Sequence, residues 1–229
     1  QLAKVSQEFL LTKKLSFLVV VDADGQVIAR GEEPERIGDS LSENTLIKRS
    51  YLGEGVASIT VRDGVLAPQV LISAGSPISE NDDLIGAVLG GISIDNAFVD
   101  GVKRATSLTS SVYGGDKISA TTLLAEDGVT RKEGVAESNN EIVKKVLGQG
   151  EHYTGTSTFV NTPYFVAYLP LKDIDEVPVG MLFVGEPQVS VLATAGYSIQ
   201  LTFLVAGIMW LLAIVPSYLI SAYISKQIR

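Results

Sequence analysis

The stretch LISAGSPISENDDLIGAVLGG (71–91) decides the fold, because it returns later in the chain as FVAYLPLKDIDEVPVGMLFVG (165–185). Each copy begins as an apolar run, reaches a proline, passes through an acidic turn and resumes as a second apolar run. Apolar runs separated by turn residues predict a pair of antiparallel strands. The copies lie roughly 90 to 95 residues apart, a spacing that indicates a repeat of domain size rather than a solenoid. The prolines of the two copies are Pro77 and Pro170, and the second runs open at Gly86 and Gly180.

Two shorter segments are also repeated, in the same order along the chain as the long repeat. VVDADGQVIA (20–29) matches VYGGDKISA (112–120), and LGEG (52–55) matches LGQG (147–150). In the first pair a short apolar run meets a Gly/Asp turn and continues as alternating residues, which is typical of a β-hairpin. The repeat therefore predicts five strands in each unit, a hairpin followed by three strands. These segments are 17–31, 56–62, 70–77 and 85–94 in the first unit, and 110–122, 154–160, 164–171 and 179–185 in the second.

Helical patterns flank these strands. Leu2, Val5 and Phe9 recur at helical spacing, and the apolar residues of 139–147 share one face of a helix. Five antiparallel strands with helices on one face constitute an α+β module. We therefore predict an N-terminal helix, a first module, a linking helix and a second module. Their expected limits are 1–15, 16–95, 96–108 and 109–190.

A long uncharged segment follows the second module. No Asp, Glu, Lys or Arg occurs between Glu186 and Lys226, and 197–225 is long enough to cross a bilayer as a helix. Tyrosines near both of its ends suit the membrane interfaces, and Lys226 and Arg229 follow directly. The positive-inside rule then places 226–229 at the start of a cytoplasmic linker and 1–195 outside the cytoplasm. The alternative is a buried core helix, although core helices seldom run this far without a charge.

Composition excludes several classes of function. The formal net charge is −8 and no basic stripe is visible, which argues against binding to nucleic acid. Cysteine is absent and His152 is the only histidine, so neither a transition-metal site nor a cofactor is predicted. No Gly-x-Ser-x-Gly nucleophile elbow or nucleophile–base pairing is apparent, so the sequence predicts no enzyme within these 229 residues.

The repeated segments resemble the Cache superfamily, the PAS-like extracytoplasmic sensors of chemoreceptors, sensor histidine kinases and diguanylate cyclases. The resemblance is strongest in VLGQGEHYTG (146–155) and PVGMLFVGEP (178–187), and SFLVVVDADGQVIARG (16–31) is similar to the opening module of tandem Cache receptors. It implies a pocket between each sheet and the segment packed over it, a homodimer formed through the N-terminal helix, and a location in the bacterial inner membrane. It also implies a cytoplasmic output outside this part of the receptor, which could be a histidine kinase or a diguanylate cyclase. Because GAVLGGISI (86–94) contains no acid for an amino group, an organic acid is favoured over an α-amino acid.

The candidate ligand-binding residues are those that suit a carboxylate, which needs an arginine fork together with hydroxyls and aromatic rings. Arg49 and Tyr51 partly fit the ligand clamp that the resemblance implies for the first unit. The other candidates lie on segments that can converge. They are Arg62, Gln69 and Ser73 in the first unit, and Tyr113, Arg131, Tyr153, Tyr164 and Tyr168 in the second.

The sequence therefore predicts a receptor region that binds a small solute outside the cytoplasm and signals through a membrane helix. The alternative hypothesis is a structural module that spaces or dimerises a membrane protein without binding a ligand. A polar pocket with free donors would favour the first hypothesis, whereas wholly apolar pockets would favour the second.

Overall fold

Two five-stranded antiparallel sheets form the chain, as the repeat predicts. The computed structural model describes residues 2–81, 83–159, 161–189, 202–206 and 208–210. The first sheet contains β1 (Phe17–Asp22), β2 (Val27–Arg30), β3 (Val56–Arg62), β4 (Gln69–Glu80) and β5 (Asp83–Ser93). The second contains β6 (Thr109–Gly114), β7 (Lys117–Thr121), β8 (Tyr153–Phe159), β9 (Thr162–Lys172) and β10 (Pro178–Pro187).

Within the described residues 2–189, four α-helices accompany the strands. They are α1 (Leu2–Lys13), α2 (Thr45–Ser50), α3 (Asn96–Thr106) and α4 (Asn140–Val143). Asn44, Asp95 and Asn139 accept hydrogen bonds from the first amides of α2, α3 and α4, which is the usual role of Asn and Asp before a helix. The helix predicted at 139–147 is thus present but not uniform, because α4 continues as a π-helix over Lys144–Gly148.

Both sheets have the same strand order, which explains the repeated sequence. The order is β2-β1-β5-β4-β3 in the first and β7-β6-β10-β9-β8 in the second. Pro77 pairs with Ala87 on β5, and Pro170 pairs with Met181 at the corresponding place on β10. Each proline lies beyond the last residue that pairs with β3 or β8, so its missing amide breaks no ladder on that side.

Among the described residues, three hydrophobic clusters hold the fold together. The first lies between sheet 1 and α2 and includes Phe17, Ile47 and Leu89. The second lies between sheet 2 and α4 with its π-helix, where Ile142 and Val146 are fully buried. The third cluster joins the two sheets, because it combines side chains of β4, α3, β6 and β7. Its buried members are Val70, Ile94, Val99, Val112 and Ala120.

The turn between β9 and β10 makes a second connection between the sheets. The Ile174 side chain packs against the core of sheet 1, and the Ile174 amide donates to the Ser58 hydroxyl at 2.9 Å. Beside it, the Arg49 guanidinium of α2 pairs with the Asp175 carboxylate at 2.5 Å. The acidic turn of the second copy is therefore a contact with the first sheet, a role that its composition does not reveal.

The predicted transmembrane helix (197–225) lies outside the described residues, apart from 202–206 and 208–210, which are helical. Within the described parts of the chain, no helix is both long and apolar enough to cross a membrane.

Candidate functional site

A polar cleft of about 320 Å³ opens on the face of sheet 1 that also carries α2. It lies where β1, β3, β4 and β5 meet the segment that follows β2. Side chains alternate along strands, so the ends of β3 and β4 can supply polar groups to a face that is otherwise apolar. The lining residues are Ser16, Phe17, Arg30, Glu32, Glu33, Arg36, Arg62, Gln69, Leu71 and Ser93.

Arg62 is the principal donor in this cleft. Its guanidinium carbon lies 3.9 Å from the centroid of the Phe17 ring, a cation–π contact that fixes the side chain against the core. Partial burial lowers the pKa of Arg62, and the nearby Glu32 carboxylate opposes that shift. A guanidinium stays charged through such shifts. Within the described residues, Arg62 forms no ion pair and donates no hydrogen bond, so its fork is available to a ligand.

The other charged groups of the cleft are already engaged by the protein. Arg30 pairs with Asp39 and also donates from Nε to the Arg36 carbonyl oxygen at 2.9 Å. The Arg30 guanidinium holds the pKa of Asp39 below its usual range. Arg36 pairs with Glu33 at 3.2 Å, in an exposed bridge. Arg62 therefore differs from Arg30 and Arg36 in that its guanidinium has no hydrogen-bond acceptor among the described residues, although the Glu32 carboxylate acts on its charge.

Gln69 stands beside Arg62 and completes a small set of donors. The two residues are directly paired across β3 and β4, and so their side chains leave the sheet on the same face. An arginine fork with an adjacent amide can hold a carboxylate by two or three hydrogen bonds. Glu32 stands across the cleft, with one carboxylate oxygen accepting from the Leu18 amide at 2.9 Å. A ligand with a carboxylate at one end and a donor at the other matches this arrangement.

The five residues predicted for the first unit divide into three groups. Arg62 and Gln69 line the cleft, while Ser73 lies deeper on the same face and shares a 2.6 Å hydrogen bond with Thr60. Arg49 is paired with Asp175, as described above. The Tyr51 hydroxyl donates to the Asp22 carbonyl oxygen at 2.5 Å, and burial raises the pKa of Tyr51. The structure thus brings Arg62 and Gln69 together and directs Arg49 and Tyr51 to other contacts.

The four tyrosines predicted for the second unit converge in the core of sheet 2. The ring of Tyr168 lies 6.0 Å from that of Tyr113 and 6.3 Å from that of Tyr153, between centroids. The Tyr164 ring packs against the Phe159 ring, with 5.5 Å between their centroids, and joins the cluster through it. The hydroxyls of Tyr113 and Tyr168 both donate to the carboxylate of Glu137, at 3.2 and 2.7 Å.

Arg131 lies apart from these tyrosines. Its two terminal nitrogens donate to the Asp100 carboxylate of α3 at 2.9 and 3.0 Å, and one of them also donates to the Thr121 carbonyl oxygen at 2.7 Å. This fork lowers the pKa of Asp100 and raises that of Arg131. Arg131 therefore anchors the linking helix to sheet 2.

Sequence reasoning missed Glu137 and the charged side of the cleft. Glu137 stands in VAES (135–138), which has the composition of a solvated loop, and its 8% exposure depends on the long-range packing of that segment. Arg30 is the last residue of β2, and Glu32 and Glu33 follow that strand directly. Their nearness to the predicted Arg62 could have been inferred only from the pairing of β1 with β5, which brings the two ends of the sheet face together.

Comparisons with known proteins agree with the resemblance seen in the second unit. Residues 90–196 match the family Single cache domain 3. No curated protein sequence matches the chain.

Solved structures with a similar fold include sensor and ligand-binding domains of receptors. The sensor domain of the Vibrio cholerae histidine kinase DctB has a TM-score of 0.51 at 10% identity, covering 81% of this chain and 77% of that one. The ligand-binding domain of Mlp24 with asparagine has a TM-score of 0.49 at 10% identity, covering 84% and 77%. The ligand-binding domain of the Campylobacter jejuni chemoreceptor Tlp3 in complex with 4-methylisoleucine has a TM-score of 0.46 at 10% identity, covering 82% of this chain and 71% of that one. At this identity the DctB likeness concerns the fold alone.

Proposed function

We propose that this chain is the ligand-sensing region of a bacterial membrane receptor, built as a tandem Cache sensor with modules at 16–95 and 109–190. The observation that carries the proposal is Arg62, a guanidinium fixed on Phe17 and left without a protein acceptor in a cleft large enough for a small solute. The polar lining supports a sensor over a structural spacer. The ligand class is a small organic acid or a similar solute with a carboxylate.

The proposal also includes the predicted membrane segment and a homodimer. The uncharged run 197–225, with Lys226 and Arg229 after it, supports a helix that places the two modules outside the cytoplasm of the inner membrane. Helix α1 exposes four apolar side chains, and Phe9 also borders an apolar groove of about 390 Å³ on the outer face of sheet 1. A second copy of the chain would cover them. The exposed residues are Leu2, Val5, Phe9 and Leu11.

A thermal-shift screen of the purified 229-residue chain tests the ligand class. Small mono- and dicarboxylates and amino acids are the panel, with the chain held in detergent. A bound ligand at 100 times its dissociation constant adds about 2.7 kcal/mol to the stability of the protein. This corresponds to an increase in melting temperature of roughly 5 to 10 °C. A panel without any such increase would favour the structural alternative.

The Arg62→Gln variant then tests the site. Losing a charged hydrogen-bond donor costs about 1.5 to 3 kcal/mol of binding, so we expect the dissociation constant of a carboxylate ligand to rise by roughly 10- to 150-fold in calorimetry. Arg104→Gln is the matched control, because Arg104 is exposed on α3 and is not among the residues that line the cleft. Equal affinity in both variants would place the ligand elsewhere.

A further inference from the structure

A buried carboxylate lies against the second sheet, in the space where the resemblance predicts a ligand pocket. Glu137 is 8% exposed and belongs to the covering segment, residues 122–139 between β7 and α4, from which its side chain reaches the sheet. One of its oxygens accepts from the hydroxyls of Tyr113 and Tyr168, and the other accepts from the Asn139 amide at 3.0 Å. Within the described residues Glu137 forms no ion pair, so hydroxyl and amide dipoles alone balance its charge.

The backbone holds Glu137 in this position. The Glu137 amide donates to the Asp116 carbonyl oxygen at 2.8 Å, and one residue earlier Ala136 forms a bridge with Lys117. The Ile118 amide donates in the same way to the Val135 carbonyl oxygen at 2.9 Å. The covering segment is therefore fastened along β7, and the carboxylate is aimed at the tyrosines from a fixed point.

The two tyrosines that donate to Glu137 are held as firmly as the carboxylate. Tyr113 and Tyr168 are 1% and 0% exposed, and they belong to β6 and β9, the two strands that flank the central strand β10. Burial is the largest reason that the pKa of each phenol is raised, so both hydroxyls keep their protons and remain donors. Two phenols and one amide aimed at a single carboxylate make a complete anion-binding set.

The first sheet shows that the fold does not require this arrangement. The bridge between Gln26 and Ser40 corresponds to the bridge between Lys117 and Ala136, so Leu41 occupies the place of Glu137. The Leu41 amide donates to the Gly25 carbonyl oxygen at 2.8 Å, just as the Glu137 amide donates to that of Asp116. The strand registers likewise align Val21 with Tyr113 and Gly75 with Tyr168. The first half therefore has no charge and no hydroxyl at these three positions. In the second half the equivalent positions hold Glu137 and the two tyrosines that bind its carboxylate.

We propose that the space between sheet 2 and the covering segment is a carboxylate-binding site whose occupant is the protein's own Glu137 side chain. A free solute can enter only if that side chain leaves, so the second half of the chain takes no external ligand while the segment is closed. Sensing is then confined to the cleft of Arg62. The vacated site would take a small monocarboxylate such as formate, acetate or propionate, which reproduces the group that the tyrosines hold.

Chemical rescue of Glu137→Ala tests this proposal on the 229-residue chain. Removing the side chain leaves two buried phenols without their acceptor, and we expect the melting temperature to fall by about 5 to 10 °C. Sodium acetate or propionate at about 100 mM should then raise the melting temperature of the variant by about 2 to 4 °C more than sodium chloride at equal concentration, for a dissociation constant near 20 mM. In the wild-type protein a carboxylate can enter only the Arg62 cleft, so any difference between the salts there is the baseline that the increase in Glu137→Ala must exceed.

Glu133→Ala is the matched control, because Glu133 belongs to the same segment but accepts from the Asn96 side chain at 2.6 Å, away from the tyrosines. It should respond to the two salts as the wild-type protein does. Equal responses of Glu137→Ala to acetate and chloride would overturn the proposal. Should Glu137→Ala not fold alone, refolding in acetate and in chloride decides the same question, since the proposal requires folded protein in acetate only. A failed rescue leaves the test of Arg62 untouched, because that test reads a different cleft.

Discussion

Replacement of Gly180 by alanine is expected to lower the free energy of unfolding by about 3 kcal/mol, the upper part of the range for overpacking a well-packed site. A methyl group at Gly180 would lie 2.1 Å from the Tyr113 carbonyl oxygen, and at Gly86 it would lie 2.2 Å from the carbonyl oxygen of Val21. Both oxygens belong to the neighbouring strand, so relief requires β6 to separate from β10, or β1 from β5. The repeated glycines therefore allow the close approach of the central strands.

Urea unfolding followed by circular dichroism measures this effect, and Gly101→Ala supplies its control. Gly101 lies within α3, and a methyl group there would meet no atom within 4 Å. Alanine is favoured over glycine inside a helix, so the control should gain about 0.5 to 1 kcal/mol. If the free energy of unfolding changed in the same direction in Gly101→Ala as in the alanine variants of Gly86 and Gly180, the contact distances would not govern stability at Gly86 and Gly180.

Val99→Asp should have a larger effect, a loss of about 4 kcal/mol, because it buries a carboxylate without a partner. Val99 is fully buried in the cluster that joins the two sheets, between Val70 of β4 and Val112 of β6. The substitution should therefore weaken both halves of the chain together, and urea midpoints measured by fluorescence and by circular dichroism should fall in parallel.

Phe98→Asp is the control for this second prediction. Phe98 precedes Val99 on the same helix but is 46% exposed, and it lies in the first turn, where a negative charge is favourable. Its effect should stay within about 0.5 kcal/mol, as for most surface substitutions. A large loss for Phe98→Asp, or a small one for Val99→Asp, would contradict the role assigned to the cluster.

The strands were the part of this protein most readable from its sequence. Alternation and turn residues predicted β3 at its observed limits, and the paired prolines and glycines identified equivalent strands of the two sheets. These signals are local, and each recurs in a second copy that confirms it. The π-helix after α4 was not predicted, because its residues satisfy an ordinary helical pattern equally well.

The candidate site was predicted less completely, because contacts between distant segments determine it. Arg62 and Gln69 were found through their strands, which alternate predictably. Arg49 was expected to face a ligand, yet Asp175 reaches it from a turn far along the chain. Glu137 gave no signal at all, since a single acid in a polar segment is usually solvated. The role of each candidate residue in ligand binding stays a prediction, as does the membrane segment.

The position of β5 and β10 has a consequence for the order in which the chain folds. Each is the last strand of its sheet in the sequence but lies third in the sheet, between strands made much earlier. Phe17, for example, pairs with Gly91, so the first sheet cannot close until synthesis has passed β5. Until then β1 and β4 each present an unpaired edge to other chains. A nascent chain that stalls before Asp83 would thus hold separate strand pairs rather than a smaller sheet, and closure over such long loops makes folding slow.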